Sequence, residues 1–542
     1  AVAVDVSFDY SLVLAVDGKK YWLAKELVEV VMGANVKKII KTIKGKELVG
    51  AKYTGPFDGL DVVKKTKEAN EDKFHTVIPT DKNILPIVLT EGTGMVHTAV
   101  SAGMEDFKLG KKLGLPLIAV IADNADYLPT MVFLAGQNAK KHPRIVLDFM
   151  TEKGFAFKIH NYKHRYPACW RCKAELVWKV ANEWYIAMDK PSKTRNSKLE
   201  TRNKTLREMM MDVAKKIHWI PDFGLERELD WLKNMHDWLI SKKNRYWGLA
   251  LPIYECGKCG WFDVLGGKEE LKERAVLGWK EFDGHTPHKP YIDEVRIKCE
   301  KCDAEISRID DVGNVWLDAG IVPFSTYLDP QSKKLSYTTD KTYWKEWFPA
   351  DFITESFPGQ FKNWFYSMIA MTTVLEYQNP YKTVLGFASM LGEDGRPMHK
   401  SWGNAIDFNT GADKIGVDVM RWMFATHDPE QNLLFGYKKA DETRRKFHLL
   451  LWNVYNFFIT YANTDKFKIP FGFAQGKYSE KFQPKADRSL VEKDINILDE
   501  WILFKLNKLI ETVSTSLQKY EVQTASLTIE AFVADLSQWY IR

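Results

Sequence analysis

The 542-residue sequence has no run of about 18 or more apolar residues, which argues against a membrane-spanning helix. It also lacks a basic start followed by an apolar stretch and a small-residue cleavage site. Ala1 to Gly18 (AVAVDVSFDYSLVLAVDG) is patterned like the middle of a sheet domain and has no initiator Met, so an internal fragment of a longer protein is expected. Cysteine is scarce. All six fall in Cys-x-x-Cys pairs, Cys169/Cys172, Cys256/Cys259 and Cys299/Cys302, which points to metal in a reducing compartment and away from a disulfide framework. A cytoplasmic location is the expectation. A strong charge bias is missing too: the net charge of +6 permits nucleic-acid binding without demanding it.

What is present is a chain too long for a single hydrophobic core, so several domains are expected. Up to about Ile159, β-rich runs (Asp9 to Val16, Lys20 to Leu23, Gly92 to Val100, Leu115 to Ile121) alternate with short helical patterns such as Ala24 to Met32. His97 falls at a strand end there, and Asp106 follows. Such a pair can hold an ammonium or ester group and a hydrolytic water, or be no more than a hydrogen-bonded histidine and a helix N-cap. A connector follows, with strand-like Glu175 to Val180 and Trp184 to Met188, then a basic helical stretch, Ser192 to Ile217, ended by Trp219-Ile220-Pro221. Cys256-Gly-Lys-Cys259 and Cys299-Glu-Lys-Cys302 make a complete four-thiolate set on two tight knuckles, suited to tetrahedral zinc in a structural role. Cys169/Cys172 is half a site, whose partners would lie outside this sequence.

Val315 to Gly320 reads as a strand end carrying Asp318, and Asp351 to Glu355 as a second strand ending in a carboxylate, ahead of an apolar helix from Phe361 to Leu375. Strand ends of a parallel sheet are where α/β folds bind ligands, though either acid could instead cap a helix. After the strand-like Tyr381 to Phe387 comes a glycine-rich loop, Gly395-Arg-Pro397-Met398-His399-Lys400-Ser401-Trp-Gly-Asn404. It suits a lid over a phosphate, with Lys400 meeting negative charge and backbone N–H groups cradling oxygens; an ordinary polar turn fits the same residues. Ala412 to Ala425 has helical spacing. Beyond Tyr437, Thr443 to Tyr461, Ile497 to Val513 and Thr524 to Ile541 form amphipathic helices of a bundle, with Pro470 to Lys485 as a loop.

Taken in order, Cys169-Trp-Arg-Cys172, Ile240-Ser … Arg-Tyr-Trp-Gly248, Val315-Trp-Leu-Asp318, Asn363-Trp-Phe-Tyr366 and Pro397-Met-His-Lys-Ser401 followed by Gly403-Asn404 resemble a class I aminoacyl-tRNA synthetase, and the isoleucyl-tRNA synthetase family most closely. The resemblance implies an α/β fold: a partial Rossmann-like catalytic domain with a β-rich editing insertion, zinc-binding knuckles and a C-terminal α-helical anticodon-binding bundle. The domains it implies are residues 1–159, an editing insertion incomplete at its N-terminus, and 160–240, a connector. Residues 241–436 would be the second half of the catalytic domain, with a zinc insertion at about 254–305 and the signature loop at 397–401, and 437–542 a truncated anticodon-binding domain.

The implied reaction is ATP-dependent activation of isoleucine, with Mg2+, and transfer to tRNA by a monomer that binds no membrane. Hydrolytic editing is implied as well, because the one methylene between isoleucine and valine gives a pocket only about 1–3 kcal/mol. Lys400 would stabilise the α-phosphate as pyrophosphate leaves, within a loop that includes Met398, His399 and Ser401. Glu355, Gln360, Trp364 and Asp318 would hold the adenylate, and His97 and Asp106 would serve editing, with Asp106 gripping the α-amino group. All six cysteines are implied zinc ligands.

The chain departs from the family at several points. Pro397 stands where the loop signature has Lys, His399 where it has Ser, and Gly359 where Asp precedes the family's Gln. No His-Ile-Gly-His motif occurs, since His285-Thr-Pro-His288 lies in the zinc insertion with other residues, and the threonine-rich strand of the editing site is absent. The 542 residues alone are therefore expected not to activate an amino acid. Two alternatives stay open: a valyl-tRNA synthetase, and a zinc-dependent tRNA-binding or editing protein with a disused synthetase domain.

Overall fold

A computed structural model of the chain describes residues 1–169, 172–191, 204–243, 248–467 and 496–542, with the backbone only at Ser401. Two compact units form, Ala1–Asn182 and Glu183–Arg542. The expected 160–240 connector is divided between them, 160–182 belonging to the first unit and 183–240 to the second. The cause lies in pairing: Tyr185–Ile186 forms a ladder with Trp238–Leu239, and Met188, Met210, Trp219 and Leu232 share one core with the later helix Trp364–Glu376.

In the first unit, the apolar run Leu12 to Ala15 and the buried Tyr10 make Asp9–Ala15 the centre of an antiparallel sheet between Lys20–Ala24 and Val36–Lys44. A second sheet centres on Val2–Val4, parallel to Val77–Pro79 and antiparallel to Met95–His97. Tyr10 ties the two sheets. Its fully buried hydroxyl donates to the Gly94 carbonyl at 2.7 Å and accepts from the Asp5 N–H at 3.1 Å. The expected strand Leu115 to Ile121 reduces to a single bridge, Ile121 to Tyr127, and the expected strand at Glu175 to a bridge with Ala168.

In the second unit, Ala350–Ser356, Tyr381–Phe387 and His218–Ile220 form a parallel sheet with Tyr381–Phe387 in the middle. Parallel neighbours need a crossover, and Trp364–Glu376 supplies it. That helix is apolar on nearly every side, and Phe365 to Ala370 are all buried, as its position inside the core requires. Trp219-Ile220 thus lies in a strand; the expected helix end is earlier, at Ala214. Residues 192–203 and the expected loop from Pro470 to Lys485 lie outside the described residues.

Val315–Gly320 is a helix, a correction to the strand expected there. Its Val-Trp-Leu start favours a strand, but the Asn314 side chain accepts from the Trp316 N–H and starts a helix that packs on Trp364–Glu376. Gly320 makes the contact possible: a Cβ there would meet the Ser367 carbonyl and Met371 Cγ at 2.7 Å. The expected single helix from Ala412 to Ala425 is two, Phe408–Ile415 and Val417–Ala425, broken at Gly416 with φ of 90°. The C-terminal region is helical. Ile497–Gln518 starts with a reciprocal cap between Asn496 and Asp499 and packs against Val522–Asp535, and Trp422 stacks on Phe447 at 4.0 Å while donating to Glu530. Among the described residues no helix is long and apolar enough to cross a membrane.

Candidate functional site

The parallel sheet ends at a cluster of the expected ligand residues. Glu355 lies one residue from the end of its strand, paired with Gly386, and its half-buried carboxylate accepts from the Ser356 N–H at 2.7 Å. The chain turns into the short helix Phe357–Gln360, and the Gln360 side chain accepts from the Trp364 N–H at 3.1 Å. Gln360 thus satisfies the first N–H of the core helix that Trp364 opens, and Trp364 packs against the buried core. Asp318 sits on the helix packed against that one, and burial pushes its carboxyl above the usual carboxylate range. Glu355, Gln360 and Trp364 are thus joined within one strand-to-helix turn, and Asp318 is carried by the neighbouring helix.

Lys400 is on a different element. After the central strand, Met390–Gly392 pairs in parallel with Leu433–Phe435 and turns through Gly395, whose φ is 75°. Asn404 then clamps the loop: its amide oxygen accepts from the His399 N–H at 2.9 Å and its amide nitrogen donates to the Pro397 carbonyl at 3.0 Å. His399 packs edge-on against Trp402, with ring centroids 4.4 Å apart. Met398 is half-buried, whereas His399 and Lys400 are exposed. Lys400 heads a single helical turn, Lys400–Trp402, closed by Gly403 in the left-handed region at φ 71°. Sequence reasoning named Gly403-Asn404 as a signature without a task; the clamp supplies one.

In the first unit, His97 and Asp106 are brought together. Asp106 lies in the first turn of helix Met104–Leu113 and accepts from the Ala99 N–H at 3.2 Å. Burial raises its carboxyl, against the pull of that N–H and of His97. His97 lines a cavity of about 630 Å3 together with Tyr53, Lys73, His75, Thr98 and Ser101. Although its ring is solvent-accessible, the concave wall around it disfavours the imidazolium and lowers its pKa. His75, a residue of the same wall, carries no motif in the sequence. The signal that finds it is spatial: its ring stacks on Tyr53 at 4.8 Å and meets Asp58 at 3.0 Å.

The four sulfurs of Cys256, Cys259, Cys299 and Cys302 lie within 4.8 Å of one another, with Cys256 to Cys302 at 3.5 Å and Cys259 to Cys299 at 3.6 Å. Tetrahedral zinc with Zn–S bonds of about 2.3 Å sets sulfurs about 3.8 Å apart, so the donor set fits that ion. Backbone N–H groups of Cys259 and then Lys258 hold the Cys256 thiol low. Against the N–H groups of Trp261 and Ala304, burial and the crowding of the neighbouring sulfurs hold Cys259 and Cys302 high, so the four sulfurs cannot all be thiolates without a cation among them. Each knuckle has the same bonds: the first cysteine N–H donates five residues on (Trp261, Ala304), and its carbonyl accepts from the residue four on (Gly260, Asp303). Cys169 and Cys172 repeat the pattern in the first unit. The Cys169 N–H donates to Ala174 at 2.8 Å, Lys173 donates back at 2.9 Å, and Lys173 takes φ of 61°.

With these geometries in place, residues 31–435 match the model for tRNA synthetases class I (I, L, M and V), and residues 499–542 match that for the anticodon-binding domain of tRNA ligase. The chain belongs to the class I tRNA synthetases. Its full length aligns with isoleucine–tRNA ligases from Clostridium novyi (35% identical, 47% of that protein), Methanothermobacter thermautotrophicus (33%, 47%) and Saccharolobus solfataricus (32%, 50%). The chain thus spans about half the length of the curated relatives it matches. The synthetase match runs from the first unit through the sheet, the four-cysteine knuckles and the Lys400 loop, so His97, Asp106, Cys256 to Cys302, Glu355 and Lys400 all lie within the matched residues.

Proposed function

We propose that the protein to which this chain belongs activates isoleucine with ATP to the aminoacyl-adenylate and transfers it to tRNA, in the cytoplasm and as a monomer. The observation that carries the reading is similarity at 32–35% identity along the whole chain to relatives named isoleucine–tRNA ligase. Glu355 supports it as the carboxylate that holds the adenylate's ammonium, since it stands at a parallel strand end with one oxygen already fixed by a backbone N–H. Gln360, Trp364 and Asp318 would add to the adenylate's binding wall. Lys400, exposed on a clamped loop, would meet charge on the phosphates as pyrophosphate leaves, flanked by Met398, His399 and Ser401. With Pro397 in place of the signature's first lysine, one phosphate contact is lost or taken over by His399 or Arg396. Mg2+ would accompany ATP as part of the substrate.

Zinc held by Cys256, Cys259, Cys299 and Cys302 would supply folding free energy and no chemistry, since four thiolates leave no open position. The Cys169/Cys172 knuckle offers two more ligands of the same geometry. In the first unit, His97 and Asp106 would serve hydrolysis of mischarged tRNA, with Asp106 taking the substrate ammonium.

The test is amino-acid-dependent ATP–pyrophosphate exchange by the whole protein. Isoleucine should support exchange far better than valine. Exchange that prefers valine, or none with any amino acid while tRNA still binds, would overturn the reading.

A further inference from the structure

The cavity of the first unit contains a second histidine that the roles of His97 and Asp106 do not use. His75 forms part of its wall, with its side chain 21% exposed. Its Nδ1 atom is buried 3.0 Å from Asp58 Oδ1, at angles outside an aligned hydrogen bond, and neither atom has another hydrogen-bond partner. His75 lines the cavity beside Gly55, the residue its Cε1–Nε2 edge packs against, and Nε2, unlike Nδ1, is not among the buried atoms that lack a partner.

Three further features fix that ring. It stacks on Tyr53, at 4.8 Å and 17°, and lies against Phe74, at 4.2 Å and 30°. Its backbone stands in the left-handed region at φ 43°, which is costly for a residue with a Cβ. Gly55 leaves room for it: a Cβ there would stand 2.6 Å from His75 Cε1 and 3.2 Å from Nε2 and Asp58 Oδ1. A strained backbone, a ring packed on two aromatic neighbours and a buried carboxylate beside one nitrogen are the parts with which a protein orients an imidazole base.

We propose that His75, held by Asp58, is the general base that activates the hydrolytic water in this cavity. The inference rests on the reading of the first unit as a module that hydrolyses aminoacyl esters. Nε2 takes a proton from water as the water oxygen bonds to the ester carbonyl carbon. The bond from that carbon to the ribose oxygen then breaks, and the ribose oxygen leaves with the proton returned by the imidazolium. Water and ester become amino acid and tRNA hydroxyl, with no other reactant. The Asp58 carboxylate, 3.0 Å from Nδ1, electrostatically favours the tautomer that carries its proton on Nδ1. Desolvation lowers the His75 pKa below its ordinary 6.5 despite Asp58, so the neutral base is the form present at pH 7. Asp58, Lys67 and His97 act on it electrostatically, and Tyr53 and Lys73 share the wall.

The experiment follows first-order hydrolysis of valyl-tRNA(Ile) by the whole protein between pH 5 and 8, for wild type, His75→Asn, Asp58→Asn and His97→Ala. Asparagine tolerates the left-handed backbone, so His75→Asn keeps the turn while removing the base. The expected result is a 10²–10³-fold lower rate for His75→Asn with KM little changed. The wild-type fall in rate toward acid pH should be absent from that variant. Asp58→Asn should be slower by about tenfold. A wild-type rate and profile in His75→Asn, or a lower rate with the acid limb intact, overturns the inference and leaves editing standing. A wild type that hydrolyses nothing overturns the editing reading, and the inference with it.

Discussion

Gly260 and Asp303 occupy the same position in two cysteine knuckles, four residues after Cys256 and Cys299, and both adopt the left-handed region, at φ 69° and 59°. One is the residue that adopts this conformation freely, and the other is among the few with a side chain that tolerate it.

Asp303→Gly should therefore raise the stability of the zinc module by about 0.5–1 kcal/mol, and Gly260→Ala should lower it by about 1 kcal/mol. Urea denaturation of the metal-loaded protein reads both. Equal midpoints for the two variants would mean that the turn conformation does not limit stability.

A single thiolate removed from a closed set leaves three sulfurs that cannot complete a tetrahedron. Cys256→Ser should lose the metal and melt the packing of Tyr254, Val295 and Ile297, which share a core with Cys256 and Cys299. Metal analysis with near-ultraviolet circular dichroism checks this, and a chelator should produce the same spectral change in the wild type.

Glu228 is fully buried in helix Phe223–Asn234 with both carboxylate oxygens lacking a hydrogen-bond partner, and burial holds its pKa well above 4.5. Folded, it keeps its proton; unfolded, it loses it above about pH 4.5. The folded state thus binds the extra proton, so this group's contribution to stability is full below pH 4.5 and is lost as pH rises toward the folded pKa. Glu228→Leu, which also removes the unsatisfied oxygens, should be more stable than wild type by about 1–3 kcal/mol at pH 8, with a smaller gain at pH 4.5. Urea titrations at the two pH values decide it; an equal gain at both would remove the ionisation argument.

The elements readable in the sequence are those whose own residues dictate them. Tyr381 to Phe387 is a strand-like run rich in aromatic and β-branched residues ahead of a glycine-rich loop, and it is the central strand. Cys256 to Cys302 declare their geometry by spacing. Val315 to Gly320 was not readable because strand-favouring side chains there are overruled by one cap, Asn314, and one bare position, Gly320, against a helix distant in sequence. His75 and Asp58 meet only through the fold of the first unit, and no local pattern announces them. The knuckle at Cys169 was legible as spacing, but not as a turn with the same bonds and left-handed residue as the other two.

Lys400 and Asn404 separate chemistry from positioning within the lid. Lys400 is exposed, so its removal leaves the fold intact, whereas Asn404 holds the loop through His399 and Pro397. If the lysine meets charge that develops on the phosphates, Lys400→Ala should lower the pyrophosphate-exchange kcat of the whole protein by about 10²–10³-fold with little change in KM for ATP. Lys400→Arg keeps the charge in another shape and should restore part of that rate. Asn404→Ala frees two loop contacts and should raise KM for ATP along with lowering kcat, because the loop must then be ordered by the nucleotide itself. Steady-state exchange kinetics on the three variants provide the check. A Lys400→Ala protein with unchanged kcat would remove the lysine from the reaction, and matching profiles for Lys400→Ala and Asn404→Ala would reduce it to a loop-ordering residue.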